Sequence, residues 1–145
     1  MKGRPLIIGL FAVVAVIAAV SIYVSVVIDK TEQAISTVVS LDGKYKAVKI
    51  TMTRGGSRPF CFNSESVIFA IYPDDIAERD KAYEVYAAPC SRFANGEPSP
   101  TIEWRSATNL QISYAANPAT LAAGKTAMKL VDVTKTVHVT FVPRD

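Results

Sequence analysis

Histidine and cysteine are scarce in this sequence, and their scarcity limits the chemistry that it offers. The 145 residues include one histidine, His138, and two cysteines, Cys61 and Cys90. A structural zinc site needs about four ligands of these types, and a catalytic cysteine needs a histidine or another electropositive group beside it. The sequence therefore predicts no metal site, no cofactor and no catalytic residues. His138 is interpreted as an exposed residue of a strand.

A strong excess of charge is also lacking. Lys2 and Arg4 are the only charged side chains before residue 29, and the remaining sequence has 14 basic and 13 acidic residues. Domains that bind nucleic acid carry a marked basic excess. The near balance of charges therefore argues against a nucleic-acid partner.

The one long apolar run lies at the N-terminus, from residue 6 to residue 28, and contains no charged residue. A helix of that length reaches about 34 Å, enough to cross a hydrocarbon core of roughly 30 Å. Lys2 and Arg4 precede the run, and basic residues flanking a membrane span favour the cytoplasm. The pattern predicts a cytoplasmic N-terminus (1–5), a transmembrane signal-anchor helix (6–28) and an extracytoplasmic domain (29–145). In a bacterium this is a single-pass protein of the inner membrane with its C-terminal domain in the periplasm or outside.

A cleaved signal peptide is the alternative explanation of this run. Such leaders have an apolar region of about 7–15 residues that ends in a small-x-small cleavage site. Here the run is longer, and its end, SIYVSVVID, lacks that pattern. These differences favour the uncleaved anchor.

The predicted compartment decides the interpretation of the two cysteines. Both lie in the part assigned to the outside, where oxidising conditions allow disulfides to persist. A bond between Cys61 and Cys90 is therefore predicted. Two buried free thiols are the alternative.

Alternating apolar and polar residues dominate the rest of the sequence. Residues 35–53 are predicted to form a hairpin around Asp42-Gly43, with a bulge near Ala47, where the parity of the apolar positions changes. Further strands are expected at 66–72, 82–88, 101–104, 109–114, 127–133 and 136–142, and a helical turn within 73–82. Short strands separated by Gly, Pro, Asn and Asp predict an all-β fold, a small sandwich or a curved antiparallel sheet, after one N-terminal transmembrane helix.

Two segments carry a resemblance to known proteins. SLDGKYKAVKI, followed by IEWRSATNLQISY, resembles strands of β-propeller blades, although about 116 residues are too few for the four or more blades of a propeller. The chain is more similar to a class of small bacterial membrane-anchored β domains of unknown function. They share an Asp-Gly-Lys hairpin and a W-x-S-x-x-x-L-x-I-x-Y segment, which begins here at Trp104 and ends at Tyr114. The resemblance implies a fold and a location and no activity.

The neighbourhood of the cysteines is the main candidate for an interaction surface. If Cys61 is bonded to Cys90, two arms rich in arginine and aromatic residues come together, and these residue types are enriched at protein interfaces. The candidate interface residues are Arg58, Phe60, Phe62, Arg92 and Phe93. The alternative is that the phenylalanines pack in the core around the disulfide.

Two other short motifs have simpler explanations. Asp74-Asp75, in YPDD, is typical of a turn rather than of an acid–base pair. Gly55-Gly56, flanked by Arg54 and Arg58, is interpreted as a turn, with a small anion-binding nest as the alternative.

The sequence thus predicts a non-enzymatic interaction module, anchored in the membrane by one span and acting as an accessory subunit of an envelope or inner-membrane complex. Its expected partners are the membrane and another protein. The alternative is an envelope ligand-binding protein or enzyme that acts on an anionic small molecule.

Overall fold

The computed structural model describes residues 13–23, 30–56, 58–116 and 126–145. Within these ranges the chain is mostly β, with two larger sheets and one ladder of two short strands. The strands β1 to β10 are, in order, Thr31–Val39, Tyr45–Arg54, Phe60–Phe69, Glu84–Pro89, Ser91–Arg92, Pro98–Ser99, Thr101–Ser106, Asn109–Ala115, Ala127–Met128 and His138–Arg144. A short helix, Ile76–Arg79, and a 3-10 turn, Lys81–Tyr83, lie between β3 and β4. They confirm the helical turn predicted within 73–82.

The larger sheet has the order β1-β2-β3-β4-β9, and all its neighbouring strands are antiparallel. Its first two strands form the predicted hairpin. At the turn, Gly43 has a φ of 73° and its N–H donates to the carbonyl oxygen of Ser40 at 2.9 Å. Asp42 Oδ1 accepts hydrogen bonds from Ser40 Oγ and from the N–H of Lys44, and these bonds lower the pKa of Asp42. The dipeptide thus sets the hairpin through local hydrogen bonds.

The bulge predicted near Ala47 is wrong, because β1 and β2 keep one register along their whole length. The parity of the apolar positions changes because both faces of β2 are covered. Tyr45 and Ala47 belong to the core between the two sheets, whereas Val48 and Ile50 pack on the opposite face with Ala77 of the short helix. A strand buried on both faces has no single apolar parity.

The second sheet has the order β10-β8-β7 and corrects the expectation of an antiparallel fold. β7 and β8 are antiparallel, but β8 and β10 run parallel, so this sheet is mixed. Parallel neighbours need a crossover connection. Here the chain leaves β8, reaches β9 in the larger sheet and then returns as β10.

The main core lies between the two sheets. Its buried residues come from both of them and are Tyr45, Ala47, Val67, Val85, Tyr86, Ala88, Trp104, Leu110, Ile112, Val137 and Val139. Trp104 also joins the edge strands of the two sheets, because its indole N–H donates to the carbonyl oxygen of Val38 at 2.9 Å. The sheets are therefore held both by apolar packing and by one hydrogen bond at their edges.

The prediction that a helix at 6–28 spans a membrane is contradicted by the residues that the structure describes. Residues 13–23 of this run are helical. Among the described residues there is no helix with the length and apolar character needed to cross a membrane. The other residues of the run, 6–12 and 24–28, lie outside the described ranges. The fold class with an N-terminal spanning helix is thereby overturned, while the β-rich character of the domain is confirmed.

Candidate functional site

The disulfide between Cys61 and Cys90 is confirmed. Their Cα atoms are 5.2 Å apart, and the N–H of Cys90 donates to the carbonyl oxygen of Cys61 at 3.1 Å. Cys61 lies within β3 and Cys90 directly follows β4, so the bond extends the antiparallel pairing of these two strands, in which Phe62 is opposite Pro89. It joins neighbouring strands at the end of the larger sheet rather than two loops.

A cleft opens beside this disulfide. It has a volume of about 650 Å³, and its lining residues come from β2, β3 and the β5–β6 ladder: Lys49, Thr51, Cys61, Asn63, Cys90, Ser91, Arg92, Pro98 and Ser99. Side chains alternate between the faces of a strand, and Cys61 and Asn63 share one face of β3. Because Lys49 and Thr51 are opposite Glu65 and Asn63 in the register, all four lie on that face.

The polar groups of the cleft form several hydrogen bonds, of which those of Thr51, Asn63 and Ser99 are connected. Thr51 Oγ1 donates to Asn63 Oδ1 at 2.7 Å, and Asn63 Nδ2 donates to the carbonyl oxygen of Ser99 at 3.0 Å. Lys49 Nζ donates to the carbonyl oxygen of Pro100 at 2.6 Å, and Arg92 donates through NH1 to the carbonyl oxygen of Gly96 at 2.7 Å. These bonds fix the β5–β6 ladder over the larger sheet and give the cleft its walls.

Glu65 lies behind the cleft, in the interior. Its side chain is 0% exposed, and neither carboxyl oxygen has a hydrogen-bond partner among the residues that the structure describes. Desolvation raises the pKa of Glu65 to about 8, against a smaller opposing effect of the charge on Lys49. Lys49 donates to Pro100 instead of pairing with this carboxyl group. The raised pKa favours the protonated, uncharged form of Glu65 at neutral pH.

Tyr86 is the neighbour of Glu65 on the other side, opposite it in the β3–β4 register. Burial, and then the proximity of Glu65, raises the pKa of Tyr86 to about 12. Lys49, Glu65 and Tyr86 therefore form a row across three neighbouring strands.

The structure separates the five candidate interface residues. Phe60 and Phe62 flank Cys61 in sequence but lie on the other face of β3, where Phe60 is 43% exposed. Phe93 is buried, with the guanidinium carbon of Arg144 5.0 Å from its ring centroid. Arg58 and Arg92 are exposed, and Arg92 alone of the five lines the cleft. Their role in binding a partner stays a prediction.

The acidic pair has a structural role. Asp74 forms an ion pair with Lys46 at 2.6 Å and accepts a hydrogen bond from Thr37 Oγ1, and these contacts lower the pKa of Asp74. Asp75 pairs with Arg79 in the short helix. Both carboxylates thus hold the segment after β3 in place, as expected for turn residues.

His138 and the Gly55-Gly56 pair are the remaining candidates. His138 is exposed at the start of β10, and the described residues contain no group of three or more His, Cys, Asp or Glu side chains arranged to hold a metal ion. Gly56 has a φ of 83°, as a turn requires. The anion-binding nest at Gly55-Gly56 stays a prediction.

Sequence reasoning missed Lys49, Asn63 and Glu65 as members of one site. The available signal was the carboxyl group in FCFNSESVIF, a segment otherwise typical of a central strand. A charged residue there must be paired or neutralised when it is buried.

Comparison with known proteins gives no further guide: no protein family, no curated protein and no solved structure matches the chain. The resemblance to small membrane-anchored β domains stays a prediction.

Proposed function

We propose that this protein is an interaction module that works outside the cytoplasm and binds a protein partner by adding an extended segment of the partner to β1. The observation that carries this proposal is the outer edge of β1, which no described strand covers. We extend this proposal to a role as an accessory subunit of an envelope complex, which would bind its partner in the same way.

The backbone of β1 offers a regular set of hydrogen-bonding groups. The N–H of Ser40 donates to the carbonyl oxygen of Tyr45 at 2.8 Å, and the pairing direction alternates along an antiparallel strand. Even-numbered residues of β1 therefore bond to β2, and odd-numbered ones direct their N–H and C=O groups to the free edge. Within the described ranges, β1 pairs with β2 alone, and all nine of its residues are exposed.

β1 also lacks the features that protect an edge strand. Natural edges are blocked by proline, by lysine, by bulges or by short length. The sequence of β1, TEQAISTVV, contains no proline or basic residue and only one acidic residue, Glu32, and the strand pairs with β2 without a bulge. In strand addition, such an edge supplies affinity through backbone hydrogen bonds.

Apolar side chains on the larger sheet offer a second contact to the partner, beyond the added strand. Ile35 of β1 is 48% exposed and Phe60 of β3 is 43% exposed. They share one face of the larger sheet with Met52 and Phe62, which are opposite each other in the β2–β3 register. The short helix covers the other end of this face. The predicted interface residues Phe60 and Phe62 lie two strands inward from the β1 edge, so we assign them to contacts with the body of the partner and not with the added strand.

The disulfide supports the proposed compartment. Disulfides persist in oxidising environments and are rare in the cytosol. A reporter that is active only outside the cytoplasm, fused after Asp145, is expected to be active. Activity of a cytoplasm-only reporter at that position would contradict the location.

Affinity purification of the tagged full chain from its source cells tests the binding mode. We expect a stoichiometric protein partner with the wild type and its loss with Ile35→Lys, because the new charge lies on the edge strand. Leu41→Lys is the matched control, since Leu41 is 73% exposed in the turn after β1. Hydrogen exchange of the purified complex is expected to show protection of the amides of the odd-numbered residues of β1. A clean monomer, or a partner retained on Ile35→Lys, would overturn the proposal.

A further inference from the structure

The cleft beside the disulfide has side chains with unused hydrogen-bond donors. Three acceptors at the cleft already receive a hydrogen bond: Asn63 Oδ1 from Thr51, the Ser99 carbonyl from Asn63, and the Pro100 carbonyl from Lys49. The donors are not exhausted, because an ammonium group carries three N–H bonds, a guanidinium five and an amide two. The side chains of Lys49, Arg92 and Asn63 each donate one hydrogen bond among the described residues. The cleft is therefore suited to a ligand rich in acceptors.

The charge of the cleft points in the same direction. Lys49 and Arg92 line it, and no acidic side chain is among its described lining residues. Lys49 donates to the Pro100 carbonyl, and the nearby Glu65 is fully buried. Two positive charges, with no acidic side chain among the described lining residues, favour an anion.

The shape of the cleft indicates the size of that anion. A volume of about 650 Å³ lies in the range of sites for small organic molecules, roughly 300–1,000 Å³, and far exceeds the size of a single inorganic ion. The disulfide and Pro98 supply apolar lining in addition to the polar groups.

We propose that this cleft binds a small organic anion, whose carboxylate or phosphate group contacts Lys49 and Arg92 and whose apolar body packs against the disulfide and Pro98. The site is distinct from the β1 edge, since none of the residues that line the cleft belongs to β1. The proposed ligand therefore contacts no residue of that edge strand.

Titration of the isotope-labelled full chain with benzoate, phenyl phosphate and benzamide, followed by NMR, tests this inference. Benzoate and phenyl phosphate represent the two anionic groups, and benzamide is the neutral analogue of benzoate. We expect saturable shifts of the Asn63 side-chain amide and of the backbone amides of Ser91 and Arg92 with at least one of the two anions. Benzamide is expected to bind at least about tenfold more weakly, because it lacks the charge-assisted bonds.

Two substitutions and two matched controls locate the anion. Arg92→Gln and Lys49→Gln are expected to weaken binding about tenfold each, as for the loss of a charge-assisted hydrogen bond. Arg79→Gln and Lys44→Gln, which remove the same charges away from the cleft, are expected to leave the affinity unchanged. Arg92 is exposed, so its variant remains informative if Lys49→Gln does not fold.

Three results would overturn the inference. The first is that neither anion binds saturably. The second is that benzoate and benzamide bind equally well, and the third is that Arg79→Gln and Arg92→Gln lose the same affinity. Because the Ile35 variant is outside the cleft, failure here leaves the test of partner binding unaffected.

Discussion

Glu65 is the residue whose environment has the clearest consequence for stability. Its folded pKa of about 8 lies above the ordinary value of 4.5, so the folded state holds a proton that the unfolded state releases as pH rises through that interval. The free energy of unfolding must then decrease between about pH 4.5 and pH 8.

Glu65→Gln is expected to remove most of this decrease, because the amide cannot ionise. Urea unfolding at pH 5 and pH 8 measures the decrease in the free energy of unfolding. At pH 8 this free energy is expected to be higher in the variant than in wild type by a few kcal/mol, on the order of what a shift of several pKa units implies. Glu78→Gln, on the exposed face of the short helix, is the control. An equal decrease in wild type and Glu65→Gln would contradict the raised pKa.

Single residues also show why the cleft was harder to predict than the disulfide. Cys61 and Cys90 are the only two residues of their type, so composition and compartment suffice to pair them. Lys49 and Glu65 become neighbours only through the β2–β3 register, and Arg92 reaches the same cleft from a different ladder. No local pattern specifies those distances.

At the level of elements, the contact between the edge strands β1 and β7 depends on Trp104. Its side chain is 7% exposed, and its N–H donates to the Val38 carbonyl. Trp104→Phe is expected to lower the free energy of unfolding by about 1–3 kcal/mol, because it removes a hydrogen bond and leaves a partial cavity.

Thermal unfolding followed by circular dichroism measures the effect of that substitution. Tyr114→Phe is a suitable comparison, since it removes a hydroxyl group from a partly buried ring of the same core without removing a hydrogen bond between described residues. A loss for Trp104→Phe no larger than that of Tyr114→Phe would show that the bond to β1 contributes nothing.

The elements differ in how far the sequence predicts them. The β1–β2 hairpin follows from Asp42-Gly43, because the turn is stabilised by contacts within five residues. The parallel pairing of β8 with β10 was not predicted, since it places His138 opposite Asn109 through a crossover to the other sheet. The bulge at Ala47 was wrongly predicted because a single sequence does not reveal that both faces of β2 are covered.

For the whole molecule, the disulfide is expected to contribute about 3 kcal/mol to the free energy of unfolding on the chain-entropy model. It closes a loop with a sequence separation of 29 residues. The double substitution Cys61→Ser and Cys90→Ser is expected to lower the urea midpoint accordingly, while the β3–β4 backbone pairing keeps the fold.

Alkylation without reductant, followed by intact-mass measurement of the denatured wild type, is the companion experiment. We expect no added alkyl group before reduction and two after it. Two alkyl groups before reduction would contradict the bond in the isolated protein. An unchanged urea midpoint in the double variant would instead show that the bond forms without stabilising the fold.

The position of Trp104 gives the protein an intrinsic optical signal. It is the only tryptophan of the sequence, and its indole ring lies where β1 meets the second sheet. Opening of that contact would expose the ring to water and shift its fluorescence emission to longer wavelength. The fluorescence of Trp104 therefore reports opening of the contact between β1 and the second sheet in the unlabelled, unmodified chain.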